Sequence, residues 1–282
     1  MTDSSEQCGP LFVVGGAEDR SGARLILRQF AEAAGGPDAR ILVIATASTI
    51  PEEVMDVYRD AFGDLGIDHL DLAAPATRAE MDEAPLLAWL EEATGLYFTG
   101  GDQLRLVSIL GGTDFAERLR QRYATGLALG GTSAGASAMS AVMIGRGRGR
   151  RAPRLSSVRL APGLGVLPSV IVDQHFRERA RLGRLVTAVI QNPGLLGFGI
   201  DEDTAFTVDR DGDVTVLGKG TLTIVDGRHI EGSNVADVRD HEPLAFAGIR
   251  LHTLGPGWGF NINSRAVRLP VATPAAPQVA GQ

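Results

Sequence analysis

Residues 127–137, "LALGGTSAGAS", run from an apolar segment through paired glycines to Ser133 and on into small residues. An apolar run stopped by glycines reads as a buried strand, and the residues after Ser133 read as the start of a helix. Strand, tight turn and helix together are the repeating unit of an α/β sheet. The stretch also fits G-x-S-x-G over Gly131–Gly135, which puts a serine on a strained turn with the following amide free to face an oxyanion. A small-residue turn with no chemistry satisfies the same pattern. A phosphate-binding loop would need a lysine after the glycines, and none follows.

The same unit recurs on both sides. "LFVVGG" (11–16), "RILVIATAS" (40–48), "IDHLDLA" (67–73) and "GLYFTGGD" (95–102) are strand-like. "SGARLILRQFAEAAGG" (21–36), "PEEVMDVYRDAFGDLG" (51–66), "MDEAPLLAWLEEA" (81–93), "QLRLVSILGG" (103–112) and "DFAERLRQRYATG" (114–126) have apolar residues at helical spacing. After the serine turn, "ASAMSAVMIG" (136–145) reads as a helix of small residues, and "SVIVDQHF" (169–176) and "LLGFGIDEDTAFTV" (195–208) are apolar runs ending in polar clusters. Strands that are apolar throughout and alternate with helices predict a mostly parallel sheet covered on both faces, with ligands at the carboxyl ends of its strands. From 206 the pattern turns to β-rich segments around Asp211-Gly212, read as C-terminal antiparallel strands. The expected organisation is a flexible N-terminus over 1–10, one α/β domain over 11–269 and a Pro/Ala-rich, disordered tail over 270–282.

Composition narrows the functions. Of 282 residues 44% are hydrophobic and 22% charged, which suits a large core rather than disorder. A net charge of −7 argues against a general nucleic-acid binder. The single cysteine, Cys8, allows no intrachain disulfide. The start lacks a basic segment followed by a long apolar one, and no apolar run reaches the ~18 residues a spanning helix needs. A cytoplasmic protein is expected.

If Ser133 is a nucleophile it needs a base. His69 lies in a strand-like run, and His229, His241 and His252 fall in the β-rich region without metal-like pairing. His175 directly follows an apolar run, where strand-end chemistry is expected. A carboxylate that orients the imidazole is available in Asp201, Glu202 and Asp203, again after an apolar run. The order serine, histidine, acid differs from that of the α/β-hydrolases and the familiar proteases, which points to a separate family. Gly100 and Gly101 make a second strand-end turn whose amides could complete an oxyanion hole with the amide of Ala134. At 100° per residue Arg177, Arg181 and Arg184 share one face of a helix expected after His175, while Arg179 points to the side of Leu182, Val186 and Val189 and would need a partner such as Asp173 or a substrate carboxylate.

Together "VVGGAED", "YFTGGDQLRL", "GGTSAGAS", "VDQHFRERARLGRL" and "GIDEDTAF" resemble cyanophycinase, a serine peptidase family related to aspartyl dipeptidase. The resemblance runs over about 11–225 in the same order. It implies a three-layer α/β sandwich like that of class I glutamine amidotransferases, with Ser133 as nucleophile, His175 as base and Glu202 as orienting acid. It further implies Gln103, Asp173, Gln174, Arg179, Arg181 and Arg184 at pocket positions, and no metal or organic cofactor. The reaction it implies is cleavage of the poly-aspartate backbone of cyanophycin, whose aspartate side chains carry arginine, with release of β-Asp-Arg dipeptides. The partner is then a peptide substrate, with neither nucleic acid nor membrane, and a homodimer is compatible.

One segment departs from the resemblance. Where a Gly/Ser-rich loop with an acidic residue is expected, "GRGRGRRAPR" (145–154) carries Arg146, Arg148, Arg150, Arg151 and Arg154. At the entrance of a cleft these would repel an arginine-bearing polymer, whereas a solvated loop would not matter. Aspartyl or isoaspartyl (di)peptidase activity on other aspartyl peptides, and a non-catalytic binding protein of the same fold, are the competing expectations.

Overall fold

The computed structural model describes residues 8–147 and 152–270. In chain order β1 (Leu11–Val14) leads to α1 (Leu25–Ala33), β2 (Arg40–Ile44), α2 (Pro51–Gly63) and β3 (His69–Ala73). Next come α3 (Arg78–Met81), α4 (Ala84–Glu92), β4 (Gly95–Phe98), α5 (Gln103–Leu110), α6 (Asp114–Ala124), β5 (Ala128–Thr132) and α7 (Ala134–Ala138). They are followed by β6 (Val142–Gly147), β7 (Val158–Pro162), β8 (Val170–Asp173), α8 (Leu182–Gln191), β9 (Leu196–Ile200) and β10 (Thr204–Val208). The chain ends through β11 (Asp213–Gly218), β12 (Leu222–Asp226), β13 (Gly232–Ser233), β14 (Phe246–Ala247), β15 (Arg250–Leu254), β16 (Gly259–Asn261) and β17 (Val267–Arg268).

A nine-stranded sheet in the order β17-β16-β11-β10-β1-β5-β4-β2-β3 forms the centre. From β1 to β3 the neighbours pair in parallel, and the strands from β10 to β17 add on antiparallel. Successive residues of the parallel strands serve opposite faces, as a pleated strand requires. Leu11, Val13, Leu42, Ile44, Leu96 and Phe98 pack into one cluster with α4, α5, α6 and α7. Phe12, Val14, Ile41, Val43 and Tyr97 pack into another with Phe30 of α1 and Tyr58 and Phe62 of α2. A sheet buried on both faces explains why these strands are apolar throughout.

The helices start where local chemistry dictates. Pro51 opens α2 with Glu52 and Glu53 in the first turn. The Asp102 carboxylate caps α5 by accepting from the amides of Leu104 at 2.8 Å and Arg105 at 3.2 Å.

A second sheet, β15-β12-β9-β8, pairs β8 and β9 in parallel around the α8 crossover. It lies on the same side as α4 to α7, because Phe198, Ile200, Leu222 and Ile224 join the cluster that holds Phe206, Val214 and Phe260 of the central sheet. Phe198 meets Phe206 and Phe260 edge-on with ring centroids 5.1 and 6.1 Å apart. Consecutive strands β9 and β10 therefore belong to different sheets, and the residues between them, Asp201 to Asp203, form the corner.

Two sequence expectations are corrected. The helix read over 136–145 stops at Ala138, and the β-branched Val142 and Ile144 pair with β7 instead. The helix read from His175 onward begins only at Leu182, because residues 174–181 turn back on themselves with His175 and Ala180 at positive φ. Of the proposed flexible segment 1–10 and tail 270–282, residues 1–7 and 271–282 lie outside the described residues, as do Arg148, Arg150 and Arg151.

Candidate active site

Ser133 stands between β5 and α7 with φ 52° and ψ −108°, a conformation that an L-residue adopts only under strain. The helix begins so close to the sheet that a Cβ on Gly135 would lie 2.6 Å from the Phe98 carbonyl oxygen, so only glycine fits there. The Ser133 amide donates to the Val14 carbonyl, which ties the turn to β1. These restraints aim the hydroxyl out of the sheet.

His175 follows β8, in the second sheet. Its Nε2 lies 2.8 Å from Ser133 Oγ, and its Nδ1 lies 2.6 Å from Glu202 Oε1. A carboxylate can only accept, so the network accommodates the tautomer with the proton on Nδ1 and a free lone pair on Nε2. The His175 amide donates to the Gly15 carbonyl at 2.8 Å, and the ring lies against Gly16, where a Cβ would sit 2.4 Å from Cε1. Gly16, at φ 101°, thus makes room for the imidazole. Burial holds the His175 pKa below its ordinary value; the Glu202 hydrogen bond and charge pull it up, and the Arg179 and Arg181 charges push it down. At neutral pH the ring is uncharged and able to take a proton.

The three consecutive acids divide their work. Asp201 is buried and accepts from the Thr221 amide and hydroxyl at 3.0 and 2.8 Å and from the Arg177 amide at 3.1 Å. Asp203 accepts from the Asp19 amide and pairs with Lys219 at 2.7 Å. Glu202 alone reaches the histidine.

Gly100 lies beside Ser133, since a Cβ there would be 3.5 Å from the Ser133 Cβ. The amides of Gly100, Gly101 and Ala134 have no acceptor among the described residues. Gln103 Nε2 donates to the Ile144 and Gly145 carbonyls at 2.8 and 3.2 Å, which fastens β6 to the start of α5 and leaves the Gln103 oxygen free to accept. Gln174 is buried, with no side-chain partner among the described residues.

The arginines are arranged differently from the helical-face expectation. Arg177 and Arg179 are exposed, whereas Arg181 and Arg184 are buried on the wholly buried Asp173. Arg184 Nε lies 2.7 Å from Asp173 Oδ2, Arg184 Nη2 contacts Oδ1, and Arg181 Nη1 is 3.4 Å from Oδ1. Burial lowers Arg181 to about 10, which leaves it charged. Asp173, Arg181 and Arg184 therefore satisfy one another directly behind Gln174 and His175. Arg179 stands out from this cluster, without an ion-pair partner among the described residues.

A buried carboxylate escaped the sequence reading. Glu18, 3% exposed, accepts from Thr132 Oγ1 at 2.6 Å, from Tyr97 Oη at 3.4 Å and from Tyr58 Oη. Burial, and then the Glu18 charge, raise both phenols well above their ordinary pKa, so they remain donors. Thr132 is the residue before Ser133, so this network braces the serine turn from below. The signal was in "VVGGAED", where a carboxylate four residues after a buried strand reads as solvated. Among the described residues no group of three or more His, Cys, Asp or Glu is arranged to hold a metal ion.

An α/β sheet that brings a strained serine, an uncharged histidine and a carboxylate into one hydrogen-bonded chain has the architecture of a serine hydrolase. The chain matches the model of Peptidase family S51 over residues 11–216 and belongs to that family; it is a peptidase of the serine type. It is 43% identical over 261 residues to a cyanophycinase of Synechococcus elongatus, covering 92% of this chain and 81% of the relative. It is 42% identical over 252 residues to a cyanophycinase of Geminocystis herdmanii (strain PCC 6308), covering 89% and 93%. Among solved structures, a peptidase from an acI-B1 Actinobacterium superposes with a TM-score of 0.65 at 22% identity, over 86% of this chain and 96% of that one. The last likeness shows the shared fold. No helix among the described residues is long and apolar enough to cross a membrane.

Proposed function

We propose that this chain hydrolyses the poly-aspartate backbone of cyanophycin to β-Asp-Arg dipeptides, with Ser133, His175 and Glu202 as its catalytic residues. The substrate follows from identity of 42–43% to cyanophycinases over about nine-tenths of the chain. The observation that carries the residue roles is the unbroken sequence of contacts from Ser133 Oγ to His175 Nε2 at 2.8 Å and from His175 Nδ1 to Glu202 Oε1 at 2.6 Å.

In the first step Ser133 Oγ attacks a backbone carbonyl carbon while its proton passes to His175 Nε2. The carbonyl oxygen gains the charge and accepts from the amides of Gly101 and Ala134, an arrangement in which one donor is worth about 10²–10³ in rate. The C–N bond breaks as His175 gives its proton to the leaving amine, and the acyl group stays on Ser133. Water then attacks with His175 as base, releasing a carboxylate and restoring the serine. Glu202 holds the imidazole in one tautomer and stabilises its charged form.

Gln103 Oε1, Gln174 and Arg179 offer polar groups to the substrate, and Asp173, Arg181 and Arg184 form the rigid wall behind them. We assign 11–269 to one domain of the class I glutamine amidotransferase-like type, supported by an apolar cluster that runs from Leu11 to Phe260. Incubation with cyanophycin followed by mass spectrometry tests the substrate. β-Asp-Arg is expected from the native chain and none from Ser133→Ala, whereas an intact polymer alongside cleaved Asp-Xaa dipeptides would move the enzyme to aspartyl dipeptidase chemistry.

A further inference from the structure

β6 and β7 form a two-stranded antiparallel ribbon in which Arg146 stands directly opposite Arg159. Like charges facing each other across strands destabilise a ribbon unless an anion lies between them. Neither arginine has a carboxylate within ion-pair distance among the described residues, although ion pairs are common over the rest of the surface. The two line a cavity of about 540 Å³ together with Arg154, Ser156, Ser157 and His241. Arg154 is held in place by a hydrogen bond to the His241 carbonyl. The cavity thus gathers guanidinium and hydroxyl donors, with no acidic side chain among the described residues of its lining.

The ribbon is attached to the active site at three points. Its Ile144 and Gly145 carbonyls accept from Gln103, and its Gly147 carbonyl accepts from Arg184 Nη1 at 3.1 Å. Gln103 opens the helix that follows the Gly100-Gly101 turn beside Ser133, and Arg184 grips Asp173, two residues before His175. These bonds tie the arginine-bearing ribbon to the segments that position Ser133 and His175.

We propose that this cavity is a subsite for carboxylates carried by the substrate chain on units flanking the scissile bond. The inference rests on the peptidase reading of the Ser133 site. In a β-Asp-Arg unit the arginine is joined through its amine, so its own carboxylate stays free. A polymer of such units presents one carboxylate with every guanidinium. Planar, bidentate guanidinium donors suit those carboxylates, and the guanidinium groups of the substrate can remain in solvent. The arginine-rich ribbon then favours the arginine-bearing polymer instead of repelling it. An unmodified aspartyl peptide would offer the same chemistry from its side chains.

The test measures binding by calorimetry on the full chain carrying Ser133→Ala, so that nothing is cleaved. The probes are a trimer of the β-Asp-Arg unit, the same trimer with its arginine carboxylates converted to amides, and tetra-aspartate. R146Q/R159Q should weaken the trimer by about tenfold or more, the effect of losing hydrogen bonds to a charged group. It should leave the amide form, already weaker, unchanged. R159E, which gives Arg146 a cross-strand partner, should cause the same loss without lowering the melting temperature, which separates the subsite from a folding defect. Loss for the trimer assigns the site to arginine carboxylates, and loss for tetra-aspartate alone assigns it to unmodified acidic peptides. Unchanged binding of all probes in both variants overturns the subsite. Failure of the native chain to cleave cyanophycin would overturn only the substrate reading, because the calorimetry does not depend on turnover.

Discussion

His175 is held between opposing influences, and their balance sets the pH at which the enzyme works. Burial, Arg179 and Arg181 favour the neutral ring, while Glu202 favours the charged one, and the outcome lies below the ordinary histidine value. Because the neutral form is the base, kcat/KM should rise with pH through a value below that of a free imidazole. Arg179 is exposed and can be replaced without opening the core. Arg179→Gln removes a positive charge, stabilises the imidazolium and raises the His175 pKa, so the acid limb should move to higher pH. Arg179 is also proposed to offer its charge to the substrate, so the position of the limb rather than its height is the relevant reading in a pH profile of both forms. A limb that stays in place or moves to lower pH would show that Arg179 does not act on the histidine.

The corner between β9 and β10 shows how one short turn serves both stability and chemistry. Glu202→Gln should lower kcat by about 10³–10⁴-fold with little change in stability, as when a triad acid is neutralised. Asp201→Asn should do the reverse. It disturbs a buried acceptor of three hydrogen bonds, at a cost of roughly 1–3 kcal/mol in a urea melt, and most activity should remain. A larger kcat loss at Asp201 than at Glu202 would mean that the other carboxylate orients the base. The serine turn, the strand-end histidine and the acidic corner were legible because each sits where an apolar run stops. Two features were not. Strand periodicity shows that 170–173 and 196–200 are buried strands but not which sheet holds them, since both sheets present apolar faces to a shared cluster. The arginine spacing after His175 matched a helical face by coincidence, because nothing local in "QHFRERAR" announces a turn with His175 and Ala180 at positive φ.

The proposed catalytic groups come from two sheets. Ser133 rises from the central sheet, while His175 and Glu202 end strands of the second, and the Phe198, Phe206 and Phe260 rings fix the two against each other. The backbone bond from His175 to Gly15 and the glycine under the imidazole set the final approach of one sheet to the other. Such a site is assembled by the whole fold, so its geometry is a property of the folded chain rather than of any motif. The central claim is that this assembly makes Ser133, and no other hydroxyl, nucleophilic. Treatment of the native chain with a serine-directed fluorophosphonate, followed by digestion and mass spectrometry, measures that directly. One adduct on the peptide containing Ser133, assigned to that residue by fragmentation and absent from His175→Ala, is the expected result. An adduct on another serine such as Ser137, or equal labelling of Ser133 without His175, would contradict it.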